Sequence, residues 1–386
     1  MVPALLALTL AVAGGVSARE APDATLDREA GSSMDALVVP LASYNSDEKL
    51  GFGLAGGAYL YRDGKRPYAH ALAGQVFMTT GGVQSHFLRY DGPQFLGTGV
   101  RLEARLDYRR ERFAPYFGPG NNSAPDYGGE ERSGLYTYER LNAGGWLRVR
   151  IGRPSALPQP YVGYSYRLTS VRPGEGSLLA QRRPLGVEGG LTGQVLVGIV
   201  RDTRDDESDP SRGGSQELAL RIGGRATGSD YDYGQATVTL RGFVPLGRRL
   251  VLGGRIAGDW LFGDVPFYEW PNLGGLLGSE GIGGISSVRG IARHRYTGTL
   301  KLLGNAELRA TLAEPRLLGR RIKVGGVLFA DAGRAWSEES YDGPWYRLHT
   351  AGGVGVRLAH GAAVARFDFG ISRDRQAVYF MFGQMF

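Results

Sequence analysis

Leucines and polar residues alternate between Thr299 and Leu312, TLKLLGNAELRATL. Leu300, Leu302, Gly304, Ala306, Leu308, Ala310 and Leu312 fall on one side of an extended chain. Lys301, Leu303, Asn305, Glu307, Arg309 and Thr311 fall on the other. Successive side chains of a strand point to opposite faces, whereas a helix would mix the two sets, so the pattern predicts a strand. The same period recurs at Gln216–Gly223, Gln235–Phe243, Arg347–Leu358 and Ala365–Ile371. Along the whole chain it picks out sixteen segments, at about 36–44, 50–62, 69–79, 83–90, 98–112, 134–151, 159–172, 185–202, 214–226, 231–245, 249–262, 298–312, 320–335, 345–358, 362–372 and 376–386.

These segments run to about 10–14 residues, against roughly 5–6 for strands of soluble proteins. A tilted strand crosses a bilayer in about 9–11. In such a barrel the apolar face meets lipid and the polar face lines the lumen. The expected fold is therefore all-β: a 16-stranded antiparallel transmembrane β-barrel, an even number as in single-chain bacterial barrels. With both termini in the periplasm, the long links 113–133, 173–184, 263–297 and 336–344 all fall on the extracellular side. Short links such as 313–319 and 359–361 fall on the other, although Asp202–Gly213 is longer than a tight turn.

Composition narrows the picture. No stretch beyond the first 20 residues holds 18 consecutive apolar positions, so helical spans are excluded. Residues 1–18 read as a signal peptide, with an apolar run from Ala4 to Val12 and a small-residue cleavage site at Val16-Ser17-Ala18. Residues 19–35 are then a short periplasmic N-terminal segment, and 36–386 the barrel. The absence of cysteine fits an exported chain that needs no disulfide. The net charge is +7, but the basic residues are spread over the chain rather than clustered, which argues against nucleic acid.

Catalytic and metal signatures are missing. The five histidines, His70, His86, His294, His349 and His360, form no H-E-x-x-H, and no G-x-S-x-G occurs. Ser85-His86 is a bare dipeptide, and the glycine cluster at 274–284 is not framed by strand and helix as a phosphate loop would be. The acidic run Asp202, Asp205, Asp206, Glu207 and Asp209 reads as a solvated turn rather than a calcium loop. No enzyme, cofactor or metal site is expected.

The chain ends QAVYFMFGQMF, with Phe380 and Phe382 on one alternating face and a terminal Phe386, the form of an outer-membrane insertion signal. Other motifs make the resemblance specific: VPFYEWPNLGG (265–275) followed by ISSVRG (285–290), IVRDTRDDESDPSRGGSQ (199–216), LFADAGRAW (328–336) and YFGPGNNS (116–123). Together they resemble the barrel of the BamA/TamA superfamily of outer-membrane assembly and translocation proteins, also called bacterial surface antigens. Ile291 stands where that family has Phe or Tyr, and GLLGSEGIG looks like a small insertion.

The resemblance implies that the sixth extracellular loop, carrying Val288, Arg289 and Gly290, folds into the lumen. Its arginine would meet wall carboxylates at positions corresponding to Glu307 and Asp331. Both sit on polar faces of their segments, and a buried arginine must be paired. The resemblance also implies a labile seam between first and last strands. Pro40 in the first cannot donate a ladder hydrogen bond, and Gly383 in the last weakens pairing. The implied role is insertion or passage of polypeptide, or lipid, at the outer membrane. The implied partners are outer-membrane lipid and lipopolysaccharide, a polypeptide substrate and, since no POTRA domain precedes the barrel, a separate periplasmic protein. A passive pore, or a surface antigen anchoring a soluble partner, are the alternatives.

Overall fold

The structure, a computed structural model, describes residues 33–62, 68–93, 95, 99–124, 134–152, 157–275, 279–317, 320–338, 343–360 and 363–386. The expected signal peptide and nearly all of the short segment after it lie outside these residues. Sixteen antiparallel strands close into a barrel. They are β1 (Ser33–Asn45), β2 (Lys49–Tyr61), β3 (His70–Thr79), β4 (Val83–Gly92), β5 (Val100–Pro115), β6 (Thr137–Ile151), β7 (Gln159–Pro173) and β8 (Gly190–Asp202). The second half comprises β9 (Gly213–Gly223), β10 (Tyr233–Pro245), β11 (Leu250–Gly263), β12 (Leu300–Ala313), β13 (Lys323–Trp336), β14 (His349–His360), β15 (Ala363–Ser372) and β16 (Gln376–Phe382).

Alternation sorts the side chains as a membrane requires. Leu106, Ile256 and Leu328 point outward and are 64%, 57% and 58% exposed, an arrangement that lipid stabilises and water would not. Their neighbours Glu103, Arg255 and Asp331 point inward and are buried. Several boundaries differ from the sequence pattern, the start of β14 at His349 rather than 345 among them, and two have a visible local cause. Strand β8 starts five residues later than expected, because Leu178–Arg182 form a short helix α1, capped by Ser177 Oγ accepting from Ala180 N at 3.2 Å. Turns closed by Val187 N to Pro184 O and Gly189 N to Gly186 O then use up the chain before Gly190. Strand β16 stops at Phe382 rather than Phe386, because Gly383 takes a positive φ of 89° and turns the tail inward.

The acidic link between β8 and β9 is an exposed turn closed by its own hydrogen bonds, with Asp205 and Glu207 open to solvent. Asp202 is held by Arg204, Asp205 accepts from Ser211 and Arg212, and Asp209 pairs with Lys323 at 2.7 Å. Ser85 and His86 occupy successive positions of β4 and so lie on opposite faces, which disposes of them as a catalytic pair.

Candidate functional site

The described residues between β11 and β12, 264–275 and 279–299, return into the barrel as a plug. Its interruptions explain why its described residues form no long element: Pro266 and Pro271 bracket a 3-10 turn, Phe267–Glu269, and among the described residues the ladder within it is Asn272–Leu273 with Ser279–Glu280. Aromatic packing seats the first half. Phe267 lies edge-on to Tyr116 and Tyr138, with Trp270 buried beside them. The second half is seated by Ile282, Val288, Ile291 and Tyr296 against Leu303 and Ala335 of the wall.

Arg289 is wholly buried. Its Nε donates to Asp331 Oδ2 at 2.8 Å and Nη2 to Asp331 Oδ1 at 3.0 Å, a two-point fork, while the backbone N–H donates to the same carboxylate at 3.1 Å. Nη1 donates to Glu307 Oε1 at 2.7 Å and to Asp368 Oδ2 at 3.1 Å. The guanidinium also stacks over Phe329, 3.5 Å from the ring centre. One cation thereby joins β12, β13 and β15. Burial alone would discourage its charge, but the three carboxylates more than compensate and hold it more firmly protonated than usual.

Gly290 has a φ of 91°, and a Cβ there would lie 3.0 Å from the carbonyl carbon of Gly370. A Cβ on Gly370 would in turn meet the Arg289 carbonyl carbon at 2.9 Å. Plug and wall therefore touch backbone to backbone, which only glycine allows. Gly290 N donates to the Tyr379 hydroxyl at 3.0 Å, and Ser372 Oγ donates to Gly290 O at 2.6 Å.

The next arginines extend the clamp. Arg293 pairs with Glu111 at 2.6 Å and Glu280 at 2.5 Å, and its backbone N–H donates to Asp47 Oδ1 at 3.0 Å. Arg295 donates to the carbonyls of Ser123 and Ala124. Tyr296 stacks on His349 at 3.5 Å and donates to Asp374 at 3.0 Å. His294 is buried among Arg293, Arg140 and Arg109; burial first, and then these cations, press its pKa well below the usual histidine value.

The barrel closes through a short seam. Strands β1 and β16 pair only at Tyr44–Phe380 and Asn45–Tyr379, whereas β1 pairs with β2 along its whole length. Ser46 and Val378 add three hydrogen bonds at the tip, Ser46 N to Val378 O at 3.2 Å, Ser46 Oγ to Val378 O at 3.3 Å and Val378 N to Ser46 Oγ at 3.0 Å. Asp47 then accepts from Arg375 of the last hairpin and from the plug at Arg293 N. All of this lies at the loop end. Towards the chain termini, no strand among the described residues pairs with the outer edge of β1 from Ser33 to Ser43. Pro40 is on that unpaired stretch, and Gly383 marks where β16 leaves it.

Sequence reasoning placed Val288, Arg289, Gly290, Glu307 and Asp331 at the plug, and the structure brings all five together. Phe380 and Phe382 lie on the lipid-facing side of β16 and pack edge to face. Phe386 does not share that face: beyond Gly383 it is buried in the lumen, 6.1 Å from the Phe243 ring. Asp368, Phe329, Asp47 and Arg293 were missed as partners. The alternation over 365–371 puts Asp368 opposite Phe367, Phe369 and Ile371, on the polar face; what a single sequence lacks is the relative height of strands, which decides which inward carboxylate reaches the plug.

Residues 75–386 match the Omp85 superfamily domain. The chain belongs to the Omp85 superfamily. It is a barrel of the bacterial outer membrane, related to the assembly and transport barrels of that superfamily. Among solved structures it is similar to BamA from Haemophilus ducreyi lacking POTRA domains 1-3, at 16% identity and a TM-score of 0.63, covering 91% of this chain and 70% of that one. It is also similar to CdiB from Escherichia coli, at 12% identity and a TM-score of 0.61, and to CdiB from Acinetobacter baumannii, at 11% and 0.54. Each match covers 91% of this chain, which spans 62% and 65% of those two proteins. At these identities the likeness concerns the fold. No curated protein matches the sequence.

Proposed function

We propose that this Omp85-superfamily barrel inserts or translocates polypeptide at the outer membrane, without chemistry of its own, by parting the seam between β1 and β16. The observation that carries the reading is the seam itself: two ladder pairs at one end, and a long unpaired β1 edge at the other. An unpaired backbone edge cannot rest in hydrocarbon, since each unmet N–H or C=O costs several kcal/mol. It is instead a template for an incoming strand. Pro40, without an N–H, would lower the cost of leaving that edge open. The plug would cork the lumen while the seam works. Membrane lipid and lipopolysaccharide would meet the apolar outer wall, and a separate periplasmic protein would deliver the substrate to residues 36–386.

A passive pore is the second reading. On β3 to β7 the inward side chains Gln75, Ser85, Arg105, Asp107, Asn142 and Ser165 are only half-buried, which favours a wet path beside the plug. Depletion followed by quantitation of the outer-membrane proteome separates the two. The assembly reading expects one or more outer-membrane proteins to fall. An unchanged proteome, together with a steady conductance in planar bilayers, would overturn it in favour of the pore.

A further inference from the structure

Beneath the plug, at the end where the chain termini lie, the luminal wall carries more buried cations than its carboxylates neutralise. Arg255, Arg289, Arg309, Arg357 and Arg366 are all at most 8% exposed, and so are Glu307, Asp331 and Asp368. The carboxylate of Phe386, whose O accepts from Arg309 Nη2 at 3.4 Å, is a fourth anion, so five guanidinium groups against four carboxylates leave one positive charge in excess. Arg289 takes the best geometry from all three acids. Arg309 Nε then donates to Glu307 Oε2 at 2.8 Å, and Arg357 Nη1 donates to Asp368 Oδ1. Of the remaining nitrogens, Arg357 Nε donates to Gln384 Oε1 at 3.2 Å and Arg366 Nη2 to Ile285 O at 3.2 Å, but Arg309 Nη1 has no hydrogen-bond acceptor, Arg366 Nη1 stands 3.9 Å from Asp368, and Arg357 Nη2 stands 3.5 Å from Glu307 without a hydrogen bond. Burying charge without a partner is strongly unfavourable, so the imbalance calls for an anion.

Arg309 and Arg357 line a small cavity there. Lys323, Ser211 and Gln384 share its wall, as does Asp209, and it encloses about 40 Å³. Asp209 does not neutralise the arginines, because it is already paired with Lys323 at 2.7 Å and accepts from Gln384 at 2.8 Å. One water needs roughly 10–15 Å³, so the space suits a molecule of a few heavy atoms. Two guanidinium groups with spare N–H donors suit oxygens spread over a tetrahedral or planar acid, more than a spherical ion.

We propose that this cavity is a binding site for a small oxyanion of the phosphate class, held between Arg309 and Arg357 and roofed by the turn at Asp209–Ser211 and the inward tail at Gln384. The bound anion would tie β12 and β14 to that turn and to the tail, stiffening the vestibule below the plug. The site is independent of the polypeptide reading, since an oxyanion would bind whether the barrel acts in assembly or as a pore.

The test is equilibrium binding of radiolabelled inorganic phosphate to the purified barrel in detergent, at constant ionic strength set with chloride. Saturable binding at one site is expected, weakened at least tenfold in Arg309→Gln and in Arg357→Gln. Arg309→Lys, which keeps the charge, should fall within about threefold of the parent. Heat-modifiable migration on gels confirms that each variant is folded. Repeating the titration in phosphatidylglycerol and in phosphatidylcholine vesicles separates the sources. Loss of phosphate binding in the anionic vesicles alone would assign the site to a lipid headgroup, and equal binding in both to the free ion. Non-saturable uptake, or uptake equal in the glutamine variants, would mean an adventitious ion only and would overturn the proposal.

Discussion

Arg289 decides whether the plug stays docked. Arg289→Ala would leave Glu307, Asp331 and Asp368 buried without their shared cation, a loss of about 3–5 kcal/mol for a broken buried pair. The expected outcome is a plug cleaved by added protease while the barrel strands resist. Arg289→Lys keeps the charge but not the fork on Asp331 and should fall between the two. His294 supplies a pH dependence. Its pKa is depressed in the docked loop, so the undocked loop binds the extra proton, and docking weakens as pH falls below about 6.5. Glu280, 3.7 Å away, works in the opposite direction, since burial raises its carboxyl. Protease sensitivity of the plug should therefore rise from pH 7 to pH 5, and His294→Gln should flatten that rise. At this scale the motif around Arg289 and the polar faces carrying Glu307 and Asp331 were legible. Asp368 was not, because its role depends on the stagger of β15 against β12.

Strands were the most legible elements, because a period of two persists wherever lipid faces one side and a polar lumen the other. Their ends were less so. The start of β8 was hidden by α1 and its turns, and the inward turn at Gly383 ended β16 four residues early. The seam was foreshadowed only by Pro40 and Gly383, while its fastening was invisible in the sequence. Asp47 ties the first hairpin to Arg375 of the last and to the plug backbone at Arg293, residues far apart in the chain. Asp47→Ala removes two charge-assisted hydrogen bonds, each worth about 1.5–3 kcal/mol. Amide exchange at Tyr44, Asn45, Tyr379 and Phe380 should then quicken at least tenfold, while β9 and β10 keep their protection. Unchanged exchange at the seam would remove Asp47 from its closure.

The molecule as a whole is a barrel whose two weak points are joined. The plug is clamped to β12, β13 and β15 through Arg289, and it also meets the tips of the first and last hairpins through Arg293 and Gly290. A plug that leaves would loosen the seam, and a seam that parts would lose part of its grip on the plug. The central claim is that this parting is the working motion, and the most direct measurement is to forbid it. The chain has no cysteine, so Tyr44→Cys with Phe380→Cys places a single reversible lock across one of the two seam pairs. In cells depleted of the parent protein, the account predicts that the locked barrel fails to restore the outer-membrane proteome and that reduction restores it. Full restoration by the oxidised, locked barrel would contradict the account.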